Sequence, residues 1–294
     1  MNFQQTPVAR PPLNDFLADR SWKLAVVAHR GAWHGAPENS IRSVELAIRN
    51  GYEFVEIDVQ ATADGQLVCI HDDSVERMTG QPHVVAQSEA ADLTGLFLKE
   101  GAGGENAEFT SSLPALLGDL LNVSSDRIYV DIDVKHFRDL EVVCEYVRSH
   151  QSRHHVNLKT VVATPKDLEY LDDLERRTGL LIKPVLHVTG DTLETFLGFL
   201  QTRPTPLVEI LCDTWTTFER YAEAAHRAGT DLFLNTLDEV PSAVVTDTPS
   251  LSDPDQGWGR LMRQGARLLQ TDHPEALKKY ADSKAEPASA IQGL

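Results

Sequence analysis

Two β-rich runs, 54–61 and 67–71, are separated only by residues 62–66 within the stretch FVEIDVQATADGQLVCIH. A parallel crossover needs a dozen or more residues, so these runs can pair only as an antiparallel hairpin. Asp64-Gly65 in the gap is the dipeptide favoured by a two-residue type I′ turn. The other β-rich runs lie near 24–29, 127–135, 159–164, 181–187, 207–212, 231–235 and 267–271. Helical periodicity falls near 40–50, 87–98, 114–122, 137–149, 166–177, 191–202, 216–228, 256–265 and 274–282. With the hairpin arm set aside, eight strands each lead into a helix, in roughly 250 residues. That repeat predicts a TIM (β/α)8 barrel; an open doubly wound sheet is the alternative.

The predicted barrel domain spans 23–281, between an N-terminal arm at 1–22 and a small-residue tail at 282–294, both expected to be loose. Residues 73–112, with the glycine-rich EGAGGENAEF, read as an insertion over one end of the barrel. The first helix is marked by Asn39 or Ser40 as N-cap, by Ile41, Val44 and Ile48 on one face, and by Asn50-Gly51 at its end.

The hairpin register brings charge together. A loop at 64–65 pairs Ala63 with Gln66, Asp58 with His71 and Glu56 with Asp73. One face then carries Glu56, Asp58, Gln60, Cys69, His71 and Asp73, and the other Val55, Ile57, Val59, Val68 and Ile70. The run RIYVDIDVK at 127–135 repeats the pattern, with Tyr129, Asp131, Asp133 and Lys135 opposite Ile128, Val130, Ile132 and Val134. Carboxylates beside a buried apolar face need a cation or basic partners. Strand ends of a barrel converge on one mouth, which would gather His29, Asp58 and Asp133. Carboxylates from different strands, with no cysteine among them, suit a hard divalent cation, Mg²⁺ or Ca²⁺. His29 and His71 flank the group as imidazoles poised for proton transfer. Arg30 and Lys135 supply positive charge for a phosphate. Together these residues suit hydrolysis of a phosphate ester.

Composition narrows the partners. The formal charge is −17, which disfavours nucleic acid and anionic membrane surfaces. Cys69, Cys144 and Cys212 are widely spaced and odd in number, as expected of free thiols in the cytoplasm. No secretory h-region and no transmembrane segment is apparent.

His29-Arg30-Gly31, Pro37-Glu38-Asn39, Glu56-Ile57-Asp58 and His71-Asp72 resemble the signature of the glycerophosphodiester phosphodiesterases. So do LPALLGDLL at 113–121, NTLDEV at 235–240 and LLQTDHPEAL at 268–277. The resemblance runs over roughly 24–280 and is strongest at its N-terminal end. It implies a TIM barrel and metal-dependent hydrolysis of glycerophosphodiesters to sn-glycerol 3-phosphate and an alcohol. It further implies Glu56, Asp58 and Asp133 as metal ligands, His29 and His71 as the acid/base pair, and Arg30 and Lys135 as substrate-binding cations.

Two departures stand out. The third acid is an aspartate where the family has glutamate, so Asp131 on the same face is an alternative ligand. The family's tryptophan-containing stretch near the seventh barrel strand reads LFLNTL here; Trp33, Trp215 or Trp258 could supply the missing aromatic wall. Glu209, inward on its strand, and His187, at a strand end, are further candidates. Asp272 reads as a cap for the helix beginning at Pro274. A sugar phosphodiester or a lysophospholipid is the alternative substrate, and a non-catalytic phosphate-ester sensor a third reading.

Overall fold

The computed structural model describes residues 9–240 and 245–285. Nine strands are present among them: β1 (Ala25–Ala28), β2 (Phe54–Ala61), β3 (Leu67–Cys69), β4 (Tyr129–Val134), β5 (Val156–Val162), β6 (Leu181–Val188), β7 (Leu207–Cys212), β8 (Asp231–Asn235) and β9 (Ala266–Thr271). Their order is β1-β9-β8-β7-β6-β5-β4-β2-β3, and β1 also pairs with β2. Eight parallel strands therefore close into a barrel, and β3 hangs antiparallel from the end of β2. This is a TIM barrel.

The alternation read along each strand is its division between barrel interior and surrounding helices. Ile128, Val130, Ile132 and Val134 join Val55, Ile57 and Val59 in the cluster under the helices. Side-chain caps fix where the helices begin. Ser40 accepts from the Ser43 N–H at helix Ile41–Arg49, Thr164 and Asp167 form a capping box at Pro165–Thr178, and Thr214 caps Trp215–Ala228. The helical periodicity at 87–98 shrinks to a helix at Ala90–Thr94, since Gly95 follows it.

The hairpin register differs from expectation by one residue. Val59 faces Cys69, Gln60 faces Val68 and Ala61 faces Leu67. The loop is Ala63-Asp64-Gly65, closed by Gly65 N–H to Thr62 O and Thr62 N–H to Gln66 O. Gly65 sits at φ +78°, the left-handed position that a three-residue hairpin loop ends on. One added residue moves Cys69 to the apolar face, against Val59 and Leu67.

The expectation of a loose N-terminal arm is overturned for the part described. Helix Leu13–Ala18 buries Leu13 and Leu17 beneath the barrel floor, against Ala25, Val27, Phe54, Tyr129, Leu207, Phe233 and Leu268. Phe16 stacks on Trp22, and the Tyr129 hydroxyl donates to Pro11 O. The helix thus covers the apolar residues at the N-terminal end of the barrel strands. At the other end, helix Pro274–Ala285 runs into the predicted tail; residues 286–294 lie outside the described residues.

Candidate active site

At the C-terminal mouth, carboxylate oxygens of Glu56, Asp58 and Asp133 lie within 4.8 Å of one another. Register explains the meeting: β2 and β4 run parallel with Glu56 beside Asp131 and Asp58 beside Asp133. Asp131 lies one layer deeper and does not join the trio. It is fully buried, accepts from Asn157 Nδ2, and receives Lys183 Nζ at 2.7 Å. Lys183 also reaches Glu209 at 2.8 Å, and Asn235 Nδ2 donates to Glu209. Glu209 is thus bound into a buried charge network under the trio.

Three cations stand against the three acids. Lys135 Nζ lies 3.3 Å from Asp58 and 3.4 Å from Asp133. Lys159 Nζ lies 3.2 Å from Glu56 and 3.8 Å from Asp133. Arg30 Nε is 3.4 Å from Asp58, and no hydrogen bond satisfies that buried nitrogen. Burial would raise the Asp58 carboxyl, but the charges of Lys135 and Arg30 outweigh it and hold the group far below the usual carboxylate range. Glu56 is raised, because its burial outweighs Lys159 and Asp58 adds like charge.

Each histidine is held by its own carboxylate. His29 Nδ1 meets Asp272 Oδ1 at 2.8 Å, and His71 Nδ1 meets Asp72 Oδ1 at 2.7 Å. A carboxylate can only accept, so Nδ1–H donates in both, which leaves Nε2 as the nitrogen that can take up or release a proton. Asp272 also accepts from Trp33 Nε1, and its N–H donates to the buried Asp247. Burial would raise the Asp272 carboxyl; the His29 and Trp33 hydrogen bonds lower it. Asp72 is fixed by Arg77 Nε at 2.6 Å. Burial opposes its ionisation, but Arg77 and His71 hold its pKa down at about 2.

His71 does not reach the mouth by ladder pairing, because β3 ends at Cys69. The Gln60 amide instead donates to the carbonyls of Ile70, His71 and Asp72 and ties that turn over the end of β2. The Pro37-Glu38-Asn39 motif has an equally specific use. Asn39 clamps Asp58 twice, Nδ2 to Oδ2 at 2.7 Å and Oδ1 from the backbone N–H at 2.9 Å, so Ser40 alone caps the helix. Glu38, 2% exposed, holds Arg30 at 3.1 Å and Arg77 at 2.7 Å. Arg77 also donates to Ala102 O. Gly103 is at φ +69° there, and a Cβ would fall 2.6 Å from Arg77 O. The glycine-rich stretch of the insertion therefore buttresses Arg77, Asp72 and His71 in turn.

Sequence reasoning missed Lys159, Gln60, Asp247 and the part played by Asp272. Lys159 and Asp272 could have been found from position alone, inward on a barrel strand and at the end of the last one. The other candidates lie apart from the trio. His187 is exposed and outside the cavity lining. Trp258 is buried, donating to Thr236 and Asp247, and Trp215 stacks under Arg260. No tryptophan lines the cavity.

That cavity, about 670 Å³, is lined by His29, Arg30, Glu56, Asp58, His71, Asp133, Lys135, Lys159 and Glu209, by the polar Thr160, Asn235, Glu239, Gln270 and Asp272, and by apolar residues that include Phe137, Val161 and Leu211. No helix among the described residues is long and apolar enough to cross a membrane.

Residues 29–276 match the model of the glycerophosphoryl diester phosphodiesterase family. A glycerophosphodiester phosphodiesterase of Bacillus subtilis is 34% identical over 93 residues, 32% of this chain and 31% of that protein. The chain spans 17 to 42% of the length of the curated relatives it matches. A glycerophosphoryl diester phosphodiesterase structure from Parabacteroides distasonis superposes at TM-score 0.72 and 17% identity, covering 98% of this chain and 97% of that one. An Oleispira antarctica phosphodiesterase, solved with its product sn-glycerol-3-phosphate, superposes at TM-score 0.64 and 21% identity, covering 88% and 96%.

Proposed function

The chain belongs to the glycerophosphoryl diester phosphodiesterase family, and on that premise we propose that it hydrolyses glycerophosphodiesters to sn-glycerol 3-phosphate and an alcohol. The observation that carries the reading is the meeting of the Glu56, Asp58 and Asp133 oxygens between two carboxylate-held histidines.

The donor set fits a hard divalent ion: three carboxylates, no thiolate and no imidazole. Glu56, Asp58 and Asp133 would hold it, and Mg²⁺ and Ca²⁺ both suit such oxygens. When bound, the ion supplies Lewis-acid polarisation of the phosphoryl oxygens. The protein's own residues do the rest. Arg30, Lys135 and Lys159 draw a phosphate into an otherwise acidic chain and counter the charge that grows on its oxygens. One histidine, through Nε2, takes the proton from the attacking hydroxyl, either water or the glycerol hydroxyl beside the phosphate. The other, protonated, gives a proton to the departing alkoxide. Asp272 and Asp72 stabilise each ring when it carries charge. The three free cysteines support a reducing, cytoplasmic setting.

The test is release of glycerol 3-phosphate from a panel of headgroup diesters with added Mg²⁺ or Ca²⁺. Activity is expected to vanish with chelator and to fall by about 10²–10⁴ in His29→Ala and His71→Ala. No release from any headgroup under either metal would defeat the proposal, and ligand binding without turnover would favour a sensor.

A further inference from the structure

The two histidines at the mouth are supported differently. Asp72, which holds His71, is itself held by the guanidinium of Arg77. Asp272, which holds His29, has no arginine or lysine bonded to it among the described residues; its carboxylate meets the His29 ring and Trp33 Nε1. Both bonds from His29 to the end of β9 go to one dipeptide. The His29 backbone N–H donates to Thr271 O at 3.3 Å, and its Nδ1–H donates to Asp272 Oδ1 at 2.8 Å. The aim of the imidazole therefore depends on what fixes Thr271 and Asp272.

Asp247 fixes both. Its Oδ1 accepts from the Thr271 hydroxyl at 2.7 Å, and its Oδ2 from the Asp272 N–H at 2.9 Å. Oδ1 also accepts from the Thr236 hydroxyl at 2.6 Å, just past β8, and from Trp258 Nε1 at 3.4 Å, on helix Trp258–Arg263. The Thr271 hydroxyl oxygen accepts the His273 N–H, which leaves its own proton for Asp247. Asp247 is 1% exposed and forms no ion pair among the described residues. A buried carboxylate satisfied by hydrogen bonds alone is costly, and burial pushes this carboxyl up. A seam that only had to close could use a neutral side chain. Here four donors from β8, β9 and a helix converge on two carboxylate oxygens, and the stretch they fix is the one that aims His29.

We propose that Asp247 is a positioning residue for the reaction: by gripping Thr271 Oγ1 and the Asp272 N–H, it holds the Asp272 carboxylate against His29 Nδ1 and keeps Nε2 directed into the mouth. Asp247 belongs neither to the acid trio nor to the cavity lining, so it acts through Thr271 and Asp272. For its effect on rate the inference rests on the phosphodiesterase reading above. Without Asp247, the Asp272 N–H and the Thr271 hydroxyl lose their buried acceptor, and the dipeptide turns to find others. A small misplacement of a group that must aim a proton-transferring ring is felt in the chemical step.

The experiment assays Asp247→Ala, as the full chain, on a glycerophosphodiester with added Mg²⁺ or Ca²⁺. The kcat is expected to fall about 5- to 10-fold, no more than on loss of the Asp272 charge, with KM within about two-fold of native. In an Asp272→Asn background the same change should cost under about two-fold, because its route to the ring is already cut. Proton NMR gives a readout independent of turnover. The downfield Nδ1 proton of His29, assigned by its loss in His29→Ala, should broaden or move upfield in Asp247→Ala, while that of His71 stays in place. Thr271→Val keeps the side-chain shape and removes one of the two grips; it should shift the same signal, and it serves where Asp247→Ala does not fold. An unchanged kcat, equal losses in both backgrounds, or an unmoved His29 signal overturns the positioning role. Absence of turnover by the native protein overturns the phosphodiesterase reading alone, and the His29 signal then decides the role of Asp247.

Discussion

Replacing Asp272 with Asn isolates the support given to one histidine. The carboxylate lies 2.8 Å from His29 Nδ1 and accepts a second hydrogen bond from Trp33. Two unit charges about 4 Å apart interact by at most ~4 kcal/mol at an effective dielectric near 20. The Asp272 side chain is 30% exposed, so less than half of that bound, ~1–2 kcal/mol, is a fair share after screening. Asn keeps the shape and one acceptor but not the charge, so a protonated His29 loses that stabilisation. The expected fall in kcat is about 5- to 30-fold. If the amide turns its NH₂ toward Nδ1, the ring is forced into the wrong tautomer and the loss approaches 10⁴. The assay is steady-state kcat and KM on a glycerophosphodiester, with metal binding by calorimetry and thermal unfolding as controls. Metal affinity should hold, since Asp272 is not one of the trio. A kcat within two-fold of the native value would refute the role assigned to the pair.

Three further outcomes are expected. Lys183→Met strips the fully buried cation from Asp131 and Glu209, so stability in a urea melt should fall by about 3–5 kcal/mol; adding Asp131→Asn should recover part of it. Leu17→Ala, at a position 2% exposed beneath the floor, should cost about 2–5 kcal/mol by calorimetry, whereas a truly loose arm would show no change. Asp72, with its pKa held at about 2 against ~3.9 unfolded, contributes stability above pH ~4 that is lost as pH falls toward 2. Asp72→Asn should flatten that acid limb in melts run from pH 5 to 2, and an unchanged slope would contradict the pairing.

Much of the fold could be read from local pattern, because strand and helix periods differ and because the 62–66 gap is too short for any crossover. The hairpin register could not, since Asp64-Gly65 serves a two-residue or a three-residue loop and only the positive φ at Gly65 chooses. The trio was legible because alternation on β2 and β4 assigned each acid to the inward face. Its supports were not. Asn39, Gln60 and Asp272 carry side chains that cap or turn locally just as well, and what they bind lies 10 to 243 residues away.

Sequence alone determined the eight-fold repeat, the inward acids and the two histidines, because periodicity is a local property of the chain. Tertiary structure decided which acids meet: parallel register put Asp133 beside Asp58 and sank Asp131 onto Lys183. It also packed an apparent arm beneath the barrel, against residues from six of its strands. Each of these depends on contacts between distant strands, which no local pattern encodes.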